Sequence, residues 1–158
     1  MVKGIYHINI NVTNFERSLE FYKRLGFKVV RDLGEGGNKY FERGLKIPHP
    51  IGRAALLQIG DERRATRIDL IEWKSPPTEG KPYPHLYHAG MCRIALVVDN
   101  LQEMYDDLKN TGVEFFSEPQ VITDRKGRTS SFICFYDPDG TVVELIQFPP
   151  AELGGEEP

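Results

Sequence analysis

His7, Asp69, Arg93 and Glu144 are the side chains whose types and positions in this chain could work together. An imidazole and two carboxylates offer lone pairs and can accept protons. A guanidinium stays charged, has no lone pair and grips anions through a planar fork. Such a set suits proton transfer, or the binding of a small charged molecule. None of the four is telling alone. A single histidine at the head of a strand is most often a solvated or satisfied structural group. A glutamate between Val143 and Leu145 is ordinary strand alternation. Their shared place in an internal repeat sets them apart.

Residues 4–30, GIYHININVTNFERSLEFYKRLGFKVV, align without a gap to residues 90–116, GMCRIALVVDNLQEMYDDLKNTGVEFF. Gly4 meets Gly90, Ile8 meets Ile94, Val12 meets Val98, Asn14 meets Asn100 and Gly26 meets Gly112; His7 thereby meets Arg93. Each copy reads as an alternating strand followed by a short helix. Thr13-Asn14-Phe15-Glu16 fits a capping box, and Phe15, Leu19 and Tyr22 recur at helical spacing. In the second copy the helix starts at Asp99 or Asn100 and presents Leu101, Tyr105 and Leu108. Gly26 and Gly112 sit where a helix ends in a left-handed residue. FKVVR and VEFFS then read as the next strands.

Two further strands complete each half. They are 53–60 and 65–73, joined by the polar GDERR, and 129–136 and 141–148, joined by Asp137-Pro138-Asp139-Gly140. The predicted architecture is α+β, two strand–helix–three-strand modules whose sheets curve into one cup. The first module covers 1–74, a Pro-rich linker 75–90, the second module 91–148, and a frayed tail 149–158. Residues 34–52 are expected to form a loop.

Strand alternation sorts the polar residues by face. Ile8, Ile10 and Val12 suit packing on the helix, which turns His7, Asn9 and Asn11 to the other side. In the repeat, Arg93 takes the place of His7. In the last strands Ile68 and Leu70 match Val143 and Leu145, so Asp69 matches Glu144 on the same side as His7 and Arg93. Glu72 shares the parity of Ile68 and Leu70 and is expected at a strand end in solvent.

With HINI-VTNFERSLEFYKRLGF, RIALVVDNL and DPDGTVVELI in place, the chain resembles the vicinal oxygen chelate superfamily over residues 4–148. That group includes glyoxalase I, extradiol dioxygenases, methylmalonyl-CoA epimerase, and the bleomycin and fosfomycin resistance proteins. The resemblance implies a homodimer. It also implies a divalent ion held by the first and last strands of each module. Carried over, His7, Asp69 and Glu144 match ligand positions, and Arg93 stands where a second histidine is usual.

Three outcomes stay open. His7, Asp69 and Glu144 could hold Mn, Fe, Co, Ni or Zn, with Arg93 gripping an anionic substrate group and Glu144 or Asp69 serving as general base. Arg93 could instead replace the metal, pairing with the two carboxylates. Alternatively, His85 or His88 in the linker could supply a ligand. The resemblance implies lyase or isomerase chemistry on a small anionic, oxygen-bearing substrate. The rival reading is a metal-free protein that sequesters a small molecule. Extradiol dioxygenation fits less well because its iron site needs a second histidine, and the substituted position also argues against a direct copy of lactoylglutathione formation.

Composition excludes other classes. Lys and Arg number 20 against 23 Asp and Glu, for a net charge of −3, which leaves no basic stripe for nucleic acid. The longest apolar run is about five residues, as in IALVV, far below membrane-spanning length. MVKGIYHINI has no signal-peptide layout, and Cys92 and Cys134 are too few for a disulfide framework, so a reduced cytoplasm is expected. KPYPHLYH (81–88) could rim a pocket, and the basic loop of Arg125, Lys126 and Arg128 could meet an acidic substrate.

Overall fold

Strand alternation and helix punctuation produce the same build twice. The computed structural model describes residues 1–62 and 65–149; Arg63 and Arg64 of the polar connection, and residues 150–158 of the expected tail, lie outside the described residues. The chain divides into one unit up to Gly80 and another from Lys81 onward.

In the first unit the order is β1 (His7–Asn11), α1 (Phe15–Arg24), β2 (Lys28–Gly36), α2 (Lys39–Leu45), β3 (Ile51–Gln58) and β4 (Arg67–Ser75). They form one sheet in the order β1-β4-β3-β2, parallel between β1 and β4 and antiparallel elsewhere. In the second unit β5 (Arg93–Val97), α3 (Leu101–Asn110), β6 (Gln120–Thr123), β7 (Thr129–Tyr136) and β8 (Val142–Gln147) form a sheet in the order β5-β8-β7-β6. The expected α+β modules are thus two four-stranded mixed sheets, each with a helix after its first strand.

The helices start and stop for local reasons. Asn14 and Asn100 are the N-caps; their side chains accept from Arg17 N at 3.0 Å and Glu103 N at 3.2 Å. The first cap lies one residue later than a box beginning at Thr13, whose hydroxyl instead accepts from the Arg17 guanidinium. Gly26 and Gly112 take φ of 93° and 83°, as expected. The amides after them reach back to Tyr22 O and Leu108 O and close each helix. Phe15, Leu19 and Tyr22 are buried with Ile10, Ile68 and Leu70 in the first unit; Leu101, Tyr105, Leu108, Val143 and Leu145 are buried in the second. Each such side chain contributes roughly 1.5–3 kcal/mol.

A second device ties helix to sheet. The first helical amide of α1, Phe15 N, donates to Glu72 Oε2 at 2.9 Å, and that of α3, Leu101 N, donates to Gln147 Oε1 at 2.8 Å. Glu72 and Gln147 occupy the same place in the two modules, three residues after Asp69 and Glu144. This corrects the expectation of a solvent-facing Glu72. Its parity does turn it toward the helix, and the unsatisfied amides there draw its carboxylate in.

Two further expectations change. Residues 34–52 hold α2, because Asn38 Oδ1 accepts from Tyr40 N at 2.9 Å and Phe41 N at 3.0 Å, and Lys46 ends the turn in the left-handed region. VEFFS does not form a strand of its own. Phe115 bridges Phe135, and regular pairing with β7 resumes only at Gln120. Pro119 lies between, with no amide hydrogen to continue the ladder.

Glu72→Ala and Gln147→Ala should each lower the unfolding free energy by about 1–2 kcal/mol, read from urea denaturation. Glu72→Gln keeps an acceptor and should cost less than half as much. Equal losses for Ala and Gln would show that the bond to Phe15 is not what Glu72 contributes.

Candidate functional site

Pairing β1 in parallel with β4 sets Asn9 beside Asp69 and His7 one step along. These three, with Asn11, Ile71 and Trp73, lie on the face of the first sheet opposite the buried Ile10, Ile68 and Leu70. They line a cavity of about 700 Å³, whose other walls include Leu33 of β2 and Phe41 and Leu45 of α2.

The polar groups are ordered by their neighbours. Asn11 Oδ1 accepts from Trp73 Nε1 at 3.1 Å, which leaves its Nδ2 as the donor. Asn9 Nδ2 donates to the Asp69 carbonyl at 3.1 Å, leaving its Oδ1 as an acceptor. His7 Nε2 stands 3.9 Å from Asp69 Oδ2, too far for a hydrogen bond. Asp69 Oδ1 is buried with no hydrogen-bond partner, alone in this among the described side chains. Burial pushes the Asp69 carboxyl above the ordinary carboxylate range; the nearby His7 and the Asn9 amide oppose the rise but do not cancel it.

The matching place in the second unit is settled differently. Glu144 lies opposite Ala95 in the parallel β5–β8 register, with a side chain only 9% exposed. Arg93 Nε donates to Glu144 Oε2, which satisfies the buried carboxylate and orients a guanidinium that is 47% exposed. The bond uses Nε, so the paired Nη edge stays available for a bidentate contact. Beside Glu144, burial first and the Glu144 charge second push the Cys134 thiol up, which leaves it protonated and unreactive.

The weaker candidates are absorbed locally. Tyr83 stacks on His88 with centroids 5.3 Å apart, and His85 stacks on Tyr87 at 4.8 Å, so the linker rings pack on one another. Arg128 pairs with Asp124 at 2.7 Å, and Asp124 also accepts the Lys126 and Arg128 amides. Those bonds hold the Asp124 carboxyl below its usual value and make the basic loop a closed turn. Phe41, Leu45 and Trp73 are the wall residues that sequence reasoning passed over. Asn38, two residues before Tyr40-Phe41, was the available signal for α2, whose seven residues, with Gly44 next to last, are too few to show a period.

A profile of the Glyoxalase/Bleomycin resistance protein/Dioxygenase superfamily matches residues 4–145. The chain belongs to that superfamily. A probable lactoylglutathione lyase of Vibrio cholerae is 30% identical over 96% of both chains. The lactoylglutathione lyase of Escherichia coli O157:H7 is 29% identical over 90% of this chain and 91% of its own. In fold, a glyoxalase family protein from Bacillus cereus matches at a TM-score of 0.81 with 16% identity, covering 94% and 95% of the two chains. A fosfomycin resistance protein from Listeria monocytogenes, complexed with Mn(II) and sulfate, matches at 0.58 with 19% identity, covering 97% and 98%.

Members of this superfamily often use a divalent ion, so the donors here need testing against one. His7 and Asp69 bring a nitrogen and an orphaned oxygen, a pair that suits a borderline cation. Arg93 brings no lone pair, and its guanidinium occupies Glu144. Among the described residues no three His, Cys, Asp or Glu side chains gather as an ion site. Two donors fall short of the three protein ligands that an ion with one open position needs. The set does not fit the ion.

A raised Asp69 pKa has a consequence for stability. Folding favours the protonated form, so the carboxyl stabilises the fold at low pH and that contribution is lost as pH rises through the folded value. Asp69→Asn should therefore raise the melting temperature at pH 7, and the gain should vanish below the ordinary carboxylate range. An equal change at both pH values would mean the charge is not the cause.

Proposed function

We propose that this chain is a glyoxalase-type lyase or isomerase that shifts a proton between adjacent oxygen-bearing carbons of a small anionic substrate. The observation that carries the reading is the Asp69 carboxyl in the first-unit cavity, desolvated and with one oxygen left without a partner. A base in such a place is held nearer the working pH than a solvated carboxylate. Relatives named lactoylglutathione lyase support the same class, since a lactoyl thioester forms from a hemithioacetal by a shift of this kind.

In this mechanism Asp69 takes the proton from the carbon that bears a hydroxyl beside a carbonyl. The electron pair moves into the carbonyl and forms an enediolate. Asn11 Nδ2, oriented through Trp73, donates to the developing oxyanion. The protonated Asp69 then returns the proton to the neighbouring carbon while the hydroxyl proton passes to the oxyanion, so the two oxygens exchange hydroxyl and carbonyl roles with no net change in electrons. In the second unit, the free Nη edge of Arg93 suits an anionic group. Glu144 acts by holding the guanidinium rather than as the base. The superfamily resemblance also carries the proposal of a homodimer.

A second reading has an observation of its own. Trp73 and Phe41 line a cavity that also holds the unpartnered carboxyl, which suits a protein that sequesters an aromatic cation without turning it over.

Deuterium uptake from solvent into hemithioacetals and 2-hydroxy carbonyl compounds, followed by NMR, separates the two. Turnover is expected in wild type, rising with pH through the elevated Asp69 value. Asp69→Asn should lose roughly 10²–10⁴-fold in kcat with little change in KM. Full activity in that variant removes Asp69 as the base. One-to-one capture of aromatic cations with no exchange in any compound supports sequestration instead.

Two further outcomes follow from the guanidinium. Arg93→Ala should raise KM for anionic substrates by roughly tenfold or more, and Arg93→Lys should restore only part of it because the planar fork is lost. Activity should survive exhaustive chelation. Complete loss on chelation, regained with Mn or Ni, would return the site to metal catalysis.

A further inference from the structure

Resting on the catalytic reading above, we infer that the part of the substrate seated in the first-unit cavity is an uncharged aromatic or branched apolar body, and not a peptide carrying its own charges. The walls dictate this. Phe41, Leu45, Leu33, Ile71 and Trp73 line a space large enough for a drug-sized group, and no lysine or arginine lines it. A glutathione-like body would bring carboxylates beside Asp69 with no lining cation to meet them, a costly burial.

The cavity is built to expose its apolar wall until something fills it. No residue of α2 is buried; Phe41 is 49% exposed and Leu45 55%. Helix α2 is held in place from below. Gly36 pairs with Gly52 at the end of the β2–β3 ladder, and a Cβ on Gly37 would fall 1.5 Å from Pro50 O. Only glycine allows that closure, which brings both ends of the excursion together. On the opposite wall, a Cβ on Gly52 would stand 3.1 Å from both Ile71 Cδ1 and Trp73 Cε3, so the bare glycine lets these side chains pack down on the sheet. The polar end is narrow by comparison. The Asn9 Oδ1 acceptor, the Asp69 carboxyl and the Asn11 Nδ2 donor match one hydroxyl and one carbonyl.

Trp73 is the single tryptophan of the chain and lines the cavity, so its fluorescence reads occupancy directly. 1-Hydroxy-1-phenylpropan-2-one and acetoin are suitable probes: both are uncharged 2-hydroxy ketones, differing only in phenyl against methyl. The phenyl ketone is expected to quench Trp73 saturably and to bind roughly tenfold or more tighter than acetoin. Phe41→Ser should pull that ratio toward one. Tyr40→Ser, on the same helix but outside the cavity lining, should leave it unchanged. Equal affinities, no saturable quenching by the phenyl ketone, or its displacement by glutathione would each overturn the inference. The titration needs no turnover. A failure of the proton-transfer proposal would leave the ratio standing, and a ratio of one with turnover retained would sink only the substrate class.

Discussion

Parallel pairing of the first strand of each unit with its last is the constraint on which the rest depends. It joins residues far apart in sequence, sets Asn9 beside Asp69 and Ala95 beside Glu144, and fixes which side chains share a face. Because side chains alternate, the same pairing that buries Ile10 and Leu70 must turn His7 and Asp69 the other way. Helix and candidate site are two sides of one register. A slip of a single residue would exchange core and site. The bonds from Glu72 and Gln147 to the first helical amides act on that register, since each ties a last strand to the start of the helix packed on it.

The two units spend that shared geometry on opposite electrostatic solutions. A buried carboxylate needs either a cation and hydrogen bonds, or a shift toward its neutral form. Glu144 has the cation: Arg93 lies on the adjacent strand and bonds to it. Asp69 has neither. His7 is too distant for a hydrogen bond, and Asn9 donates to the backbone instead, so burial pushes its proton affinity up. A stabilised carboxylate is a poor base and a good scaffold; a desolvated one is the reverse. Arginine in place of histidine in the repeat gives Glu144 the partner that Asp69 lacks.

The excursion between β2 and β3 gives the first unit what the second lacks among the described residues, a helix lining one wall of a cavity. Its apolar side chains gain nothing from exposure. A helix that buries none of its residues is held by its caps and by the closure at Gly37, and such elements open more easily than a core helix. That combination suits an entrance that must admit a guest and then cover it.

Much of this was legible in the chain alone. The repeat, the faces of both first strands, the left-handed glycines and the placement of Asp69 and Glu144 in last strands all follow from periodicity, which is local and survives any tertiary arrangement. Helix α2 escaped because seven residues with a glycine next to last carry too short a period, although Asn38 announces its start. Strand β6 escaped because pairing resumes only after Pro119, which has no amide hydrogen to continue the ladder from Phe115. What only the tertiary structure decided is the state of each polar group. Sequence named two carboxylates in equivalent places. Which is satisfied and which is stranded depends on distances of a few ångströms and on how much water each loses, and neither is encoded in residue type.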